Sequence, residues 1–357
     1  MDIRVILASK DHLKPKPKDE SALGFGNIFT DHMFLMNWDE QRGWHDPRIE
    51  PYHNLSLDPA AMSLHYGQMI FEGLKCYRRP DGGLQIFRAR DNFRRLNRSA
   101  VRMCMPQLDQ DQAKDALKQL LRLEKDWVPR AQGTSLYIRP TMIASEPHLG
   151  VRPAKEYLYY IILGPVGAYY KEGFNPVRIL VVDEYVRAVR GGVGEAKTAA
   201  NYASSIYAAE QAHQKGFTQV LWLDAVELKY VEEVGTMNMF FLIDNEVVTA
   251  PLTGTILPGV TRTTVLDLLR EWGEYKVSER QIAIDEVMTT AGNGRLKEAF
   301  GSGTAAVISP VGQIVYKDQA ITVGGGRTGV LAQKLYEEIT SIQFGLKPDV
   351  HGWVEQV

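Results

Sequence analysis

Gly191-Gly192-Val193-Gly194-Glu195-Ala196-Lys197-Thr198-Ala199-Ala200-Asn201-Tyr202 follows a β-branched, apolar stretch at residues 177–183 and precedes a helical pattern over 201–215. Lys197 therefore stands between a glycine-rich loop and a helix. A lysine alone is ordinarily a solvated surface charge. This one is followed by three small residues, then Asn and Tyr, and the next Lys or Arg is Lys215. Small neighbours let a bulky group approach the amine, which a Schiff-base lysine requires.

On either side of this stretch the chain mixes strands and helices. Residues 32–38, 84–88, 134–144 and 156–166 read as strands, rich in β-branched and aromatic residues. Residues 90–105 read as a helix, and Ala113, Leu117, Leu120 and Leu121 give a second helix one apolar stripe. Residues 167–175 turn polar and glycine-containing, and Pro176 closes them. This places a smaller N-terminal domain at 1–168, an interdomain loop at 169–178 and a larger domain at 179–357. Tyr169 and Tyr170 are large for a tether; they either pack an interface or cover a ligand. Downstream come a strand at 219–224, a strand-rich stretch at 237–250, a helix at 261–272, a strand at 307–311 and a last helix at 330–343. Such an irregular order argues for α+β or mixed α/β domains rather than regular βαβ winding. Near the N-terminus, Pro15 and Pro17 make residues 14–19 an exposed extended arm.

Composition narrows the function classes. A chain of 357 residues suits about two domains. The net charge of −2 disfavours nucleic acid and anionic membrane as partners. No apolar run nears the ~20 residues of a membrane span, and residues 1–10 are too charged for a secretory signal. Cys76 and Cys104 read as plain thiols, so a cytoplasmic location is expected. The eight histidines are scattered without metal-ligand spacing, so no metal is expected. G-x-S-x-G and Walker patterns are absent as well.

Other segments carry chemistry only conditionally. Leu257-Pro258-Gly259-Val260-Thr261-Arg262 opens an amphipathic helix, whose unpaired N–H groups and dipole favour a phosphate. Phe300-Gly301-Ser302-Gly303-Thr304-Ala305-Ala306 fits G-x-G-x-x-A, the fingerprint of a dinucleotide oxidoreductase. The β-branched run after it, broken by Pro310 and Gly312, is not the helix that motif needs. An anion-facing turn and a plain hairpin both remain open. Glu232-Glu233 reads as a solvated pair or as a carboxylate that keeps a heterocyclic nitrogen protonated. Tyr66, Phe71 and Tyr137 are either core or the wall of an apolar pocket.

Together, and in this order, SLHYGQMIFEG, FRRLNRSAVRMCMP, GTSLYIRP, LGPVGAYY, GGVGEAKTAANY, QVLWLD, EVGTMNMF, LPGVTR and FGSGTAA resemble the branched-chain aminotransferases of the fold-type-IV pyridoxal-phosphate enzymes. LYEEITSIQFG extends the likeness towards the C-terminus. The resemblance implies a small α+β domain and a larger domain around a barrel-like β core, with pyridoxal 5'-phosphate between them, in a homodimer. It implies that Lys197 carries the cofactor as a Schiff base and shuttles the substrate proton. Glu233 would face the pyridine nitrogen and Tyr202 the phenolic oxygen. Arg95 would hold the phosphate, with Arg94 an adjacent competitor, aided by Val260, Thr261 and Thr304. Tyr66, Phe71, Tyr137, Arg139 and Tyr169 would bind substrate, and the amides of Thr304 and Ala305 its α-carboxylate. The implied reaction is ping-pong transfer of an amino group from L-leucine, L-isoleucine or L-valine to 2-oxoglutarate. Some mammalian relatives carry a C-x-x-C pair after the glycine turn; residues 306–310 contain no cysteine, so no thiol switch is expected there. The alternatives are a D-amino-acid aminotransferase or aminodeoxychorismate lyase of the same fold type, a dinucleotide oxidoreductase and a non-catalytic binding module.

Overall fold

The computed structural model describes residues 1–167 and 174–357. They fall into two units: Met1–Tyr169 with Ala196–Ala199 and Ser341–Val357, and Tyr170–Glu195 with Ala200–Thr340.

In the first unit one sheet is built from β1 (Arg4–Val5), β2 (His32–Asp39), β3 (Gly43–Pro51), β4 (Met69–Phe71), β5 (Leu74–Arg78), β6 (Leu84–Phe87), β7 (Ser135–Ala144) and β8 (Glu156–Val166). The order is β1-β3-β2-β8-β7-β5-β6, extended by the C-terminal strand Val354–Gln356, while β4 pairs with β7. The helices are α1 (Met62–Tyr66), α2 (Ala89–Arg102) and α3 (Gln110–Leu123). Phe93, Leu96 and Ala100 of α2 and Ala113, Leu117, Leu120 and Leu121 of α3 join Ile70, Leu74 and Ile138 in one core. Helix α2 stops short of residue 105 because Cys104 turns into the left-handed region at φ 54. The periodicity did not foretell β3, which carries Pro47. The ladder with β2 is irregular just there, between Leu35 and Asn37, and tolerates a residue without an N–H. Most of the arm at 14–19 is exposed as expected, but Lys14 is anchored. Its amine donates to the carbonyls of Phe29 and Thr30 and lies 4.0 Å over the Tyr52 ring.

The second unit holds β9 (Val177–Val182), β10 (Gln219–Leu223), β11 (Val231–Val234), β12 (Met237–Ile243), β13 (Glu246–Thr249), β14 (Lys276–Glu279), β15 (Leu296–Gly303), β16 (Val307–Tyr316) and β17 (Gln319–Thr322). The path β11-β10-β9-β16-β15-β12 returns on itself, because β11 also pairs with β12. Six strands thus close a barrel, filled by residues such as Ile179, Leu221, Leu223, Val234, Met239, Phe241 and Val311. The remaining helices are α4 (Ala199–Ala203), α5 (Ile206–Gln214), α6 (Val260–Trp272), α7 (Ile284–Gly292) and α8 (Val330–Gln343), of which α5, α6 and α7 pack on strands of this sheet.

Two expectations need correction here. The single helix at 201–215 is two, α4 and α5. At the break Ser204 Oγ donates to the Asn201 carbonyl and Ser205 Oγ to that of Tyr202, which competes with the helical ladder. The strand at 307–311 runs on to Tyr316. Pro310 is the last residue paired with β15 and Val311 the first paired with β9, so the missing N–H falls at a change of partner. The α+β class and the barrel-like second unit are as expected. Among the described residues no helix is long and apolar enough to cross a membrane.

Candidate active site

Lys197 belongs to the segment Ala196–Ala199, counted with the first unit. Its N–H donates to Ser99 Oγ on α2 at 2.9 Å, and its carbonyl accepts from the Phe71 N–H at 3.0 Å. Thr198 Oγ1 donates to the Met69 carbonyl at 2.7 Å. The lysine backbone is thereby stitched to α2 and β4, and its half-buried amine lies 4.9 Å over the Phe71 ring. The Arg139 guanidinium lies 4.6 Å from the same ring and donates to Tyr137 Oη at 3.0 Å. Arg139 Nε is buried with no hydrogen-bond partner among the described residues. A Cβ at Gly73 would sit 2.1 Å from Tyr137 Oη, so the glycine that ends the IFEG run makes room for the tyrosine. Lys197, Phe71, Tyr137 and Arg139 are brought together. Tyr66, at the end of α1, is 41% exposed, and its ring lies near His65.

Of the two adjacent arginines, Arg94 is outward and reaches Asp91, with 60% of its side chain exposed. Arg95 is inward. Its Nε and Nη2 meet Glu72 Oε1 and Oε2, both at 2.8 Å, and the two side chains are 7% and 1% exposed. The fork-to-fork pair leaves Arg95 charged and fixed in direction. Nearby in sequence, burial pushes the Lys75 amine down to about 8.

In the second unit Glu233 lies on β11, every residue of which is buried. The solvated-loop reading of Glu232-Glu233 is therefore wrong: β11 is a paired strand, and all four of its residues are buried. Glu233 Oε2 meets Arg187 Nε at 2.6 Å, and Oε1 accepts from Asn238 Nδ2 at 3.1 Å. The same Asn238 amide donates to the Leu257 carbonyl at 3.0 Å, just before α6. A Cβ on Gly259 would come within 2.0 Å of Asn238 Oδ1, so this turn requires glycine. Helix α6 begins at Val260 with no side-chain cap, and Val260 and Thr261 are buried. Its first amides and dipole thus face forward without a competing side chain. Arg187 Nη2 also donates to the carbonyls of Gly194 and Thr255.

Tyr202 is half-buried on α4, and Asn201 Nδ2 ties the preceding loop by donating to the Val193 carbonyl at 2.8 Å. Thr304 and Ala305 form the half-buried turn between β15 and β16. That hairpin removes the dinucleotide reading, which needs a helix after the glycines. Tyr169 lies outside the described residues.

Glu72, Ser99, Arg187 and Asn238 support these side chains and were not singled out in the sequence. Asn238 closes the EVGTMN run and was within reach; Arg187 sits in no motif. In chemical terms the two units offer a lysine amine over an aromatic ring, a buried inward arginine, a charge-paired carboxylate and an uncapped helix start. Taken unit by unit, these groups suit parts of pyridoxal phosphate: the amine and arginine of the first suit an aldehyde and a phosphate, and the carboxylate and helix start of the second suit a ring nitrogen and a phosphate.

Comparison with known proteins agrees. Residues 69–314 match the family Amino-transferase class IV. Branched-chain-amino-acid aminotransferase 2 of Bacillus subtilis (strain 168) is 56% identical, over 99% of this chain and 97% of its own length. The solved branched-chain amino acid aminotransferase from Escherichia coli superposes with a TM-score of 0.74 at 26% identity, covering 91% of this chain and 98% of that one. The solved T.th. branched-chain amino acid aminotransferase complexed with N-(5'-phosphopyridoxyl)-L-glutamate gives 0.72 at 25% identity, covering 90% and 97%. With cofactor-suited groups in both units and a match along nearly its whole length, the chain belongs to the class IV aminotransferases, pyridoxal-phosphate enzymes of fold type IV, among the branched-chain aminotransferases.

Proposed function

We propose that this enzyme transfers the amino group of L-leucine, L-isoleucine or L-valine to 2-oxoglutarate, reversibly and by a ping-pong course, yielding the branched 2-oxo acids and L-glutamate. The observation that carries the reading is the cluster of Lys197, Phe71, Tyr137 and Arg139. It offers aromatic surface for an aliphatic side chain and, beside it, a cation for the second carboxylate of glutamate. Arg139 Nε, buried and without a partner among the described residues, suits that carboxylate. The T.th. relative's complex with a phosphopyridoxyl-glutamate conjugate supports glutamate as the common partner.

Bound pyridoxal phosphate supplies the aldehyde carbon that takes up nitrogen and the ring that spreads the electron pair left at the substrate Cα. Lys197 Nζ holds the cofactor between turnovers and carries the proton between the substrate Cα and the cofactor C4′. The Glu233 carboxylate keeps the ring nitrogen protonated, and Arg187 and Asn238 hold that carboxylate in place. Tyr202 donates to the phenolic oxygen. Arg95, with the backbone of Val260 and Thr261 and with Thr304, holds the phosphate. The amides of Thr304 and Ala305 take the α-carboxylate, and Tyr66 and Tyr169 complete the substrate pocket. The working unit in this proposal is a homodimer in the cytoplasm.

The test is an amino-donor panel with 2-oxoglutarate as acceptor. The three branched L-amino acids are expected to be turned over and D-alanine to be inert. Turnover of D-alanine without L-leucine would overturn the assignment in favour of another fold-type-IV enzyme.

A further inference from the structure

Strand β11 carries two adjacent buried carboxyl groups, Glu232 at 7% exposure and Glu233 at 3%. Arg187 is in contact with Glu233 and reaches Glu232 only through its charge, and a single cation neutralises a single carboxylate. Its donors are not evenly shared. Nε meets Glu233 at 2.6 Å, and Nη2 is directed to the carbonyls of Gly194 and Thr255. Asn238 gives Glu233 a further donor. Among the described residues the side chain of Glu232 receives one hydrogen bond, from Thr255 Oγ1 to Oε1 at 2.5 Å, and its Oε2 is buried with no hydrogen-bond partner. A buried charge with so few donors is costly, whereas a neutral carboxyl leaves no charge to compensate.

We propose that Glu232 is a positioning residue of the ring-nitrogen site that works as a neutral, proton-carrying carboxyl, leaving the whole charge of Arg187 on Glu233. The proposal rests on the reading that Glu233 faces the cofactor ring nitrogen. Burial acts most strongly on Glu232 and pushes it up to about 7; the Thr255 hydroxyl and Arg187 oppose this, and the charges of Glu233 and Asp224 add to it. These are the largest influences on it. When Glu232 loses its proton as pH rises through neutrality, β11 gains a second negative charge. Arg187 is then divided between two carboxylates, and the ring nitrogen is held in a more negative field. The site thereby responds to pH near neutrality through a group that does not itself touch the cofactor.

Full-length protein, both loaded with pyridoxal phosphate and stripped of it, decides the matter. In pH-difference infrared spectra of the stripped protein, a protonated-carboxyl stretch is expected to vanish as pH rises through about 7. It should be missing in Glu232→Gln and titrate higher in Thr255→Val, which lacks the donor favouring the charged form. In the loaded protein the visible cofactor band should shift over the same range, and the shift should be lost in Glu232→Gln. No carboxyl titrating near neutrality in the wild type, or a band that persists in Glu232→Gln, would overturn the proposal. If the variants do not fold, the wild-type infrared titration still decides. Glu233→Gln separates the two readings. A cofactor band indifferent to that change removes the ring-nitrogen assignment. A band that responds to Glu233→Gln but not to pH near neutrality removes only the role of Glu232.

Discussion

Lys197 and Glu72 mark two kinds of legibility at the residue scale. Lys197 stood out because its neighbours are small, and the residues that fix its backbone, Ser99 and Phe71, are side by side with it only in three dimensions. Lys197→Ala is expected to abolish transamination, and borohydride reduction of the wild type should place the phosphopyridoxyl group on Lys197; a label on Lys75 would refute the assignment. Glu233→Gln keeps the shape but loses the charge beside the ring nitrogen, so kcat should fall by about 10²–10³-fold, the scale seen when one preorganised electrostatic partner is removed. Glu72 was quoted in the sequence only as part of a run, since nothing local announces that it meets Arg95. Glu72→Ala strands a buried guanidinium and should cost about 3–5 kcal/mol in denaturant unfolding. Wild-type stability in that variant would show that Arg95 has another counter-charge.

Elements show why a motif can be right while its setting is misread. The EVGTMN run pointed to a ring-nitrogen carboxylate. Two adjacent acids nevertheless suggested solvent, because only the folded structure shows all four residues of β11 buried. The helix over 201–215 was periodic enough to read as one, yet two serine hydroxyls end it early. The LPG turn was read correctly as a helix start. What escaped was Asn238, which couples that turn to Glu233 and leaves no space for a side chain at Gly259. Gly259→Ala must displace the turn. Cofactor affinity should drop by about tenfold or more, roughly 1.4 kcal/mol, while the barrel keeps its stability. Equilibrium dialysis of pyridoxal phosphate measures this, and unchanged affinity would mean that the start of α6 does not bear on the phosphate.

Across the whole molecule, stability should depend on pH with opposing contributions. Glu246 is held down to about 2 from an ordinary 4.5, first by the Ser278 hydroxyl and then by Lys276 and Arg280, against its partial burial. Its folded pKa lies below the unfolded one, so its contribution is present above about 4.5 and is lost as pH falls towards 2. Glu232 is raised to about 7, so the stability it contributes is present below about 4.5 and is lost as pH climbs through 7. Glu246→Gln should therefore lower Tm at neutral pH and flatten the acid limb, leaving Tm near pH 2 almost unchanged. Glu232→Gln should flatten the limb between about 4.5 and 7. Thermal scans in a pH series separate the two; identical limbs in wild type and Glu246→Gln would deny the Glu246 network any role. The α+β class could be read from the irregular succession of strands and helices. Ring closure came only with the family resemblance; the residue pattern by itself did not give it, because it depends on one short strand finding partners on both sides.

That closure also sets how the amides of β11 meet solvent. Val231–Val234 is only four residues long, and as one arm of an isolated hairpin it would exchange its hydrogens quickly. Held by β10 on one side and β12 on the other, it can exchange only when the ring itself opens. In deuterium exchange the strand bearing Glu233 should rank with the slowest segments of the chain, far slower than its length suggests, and the carboxylate it carries inherits the persistence of the entire barrel.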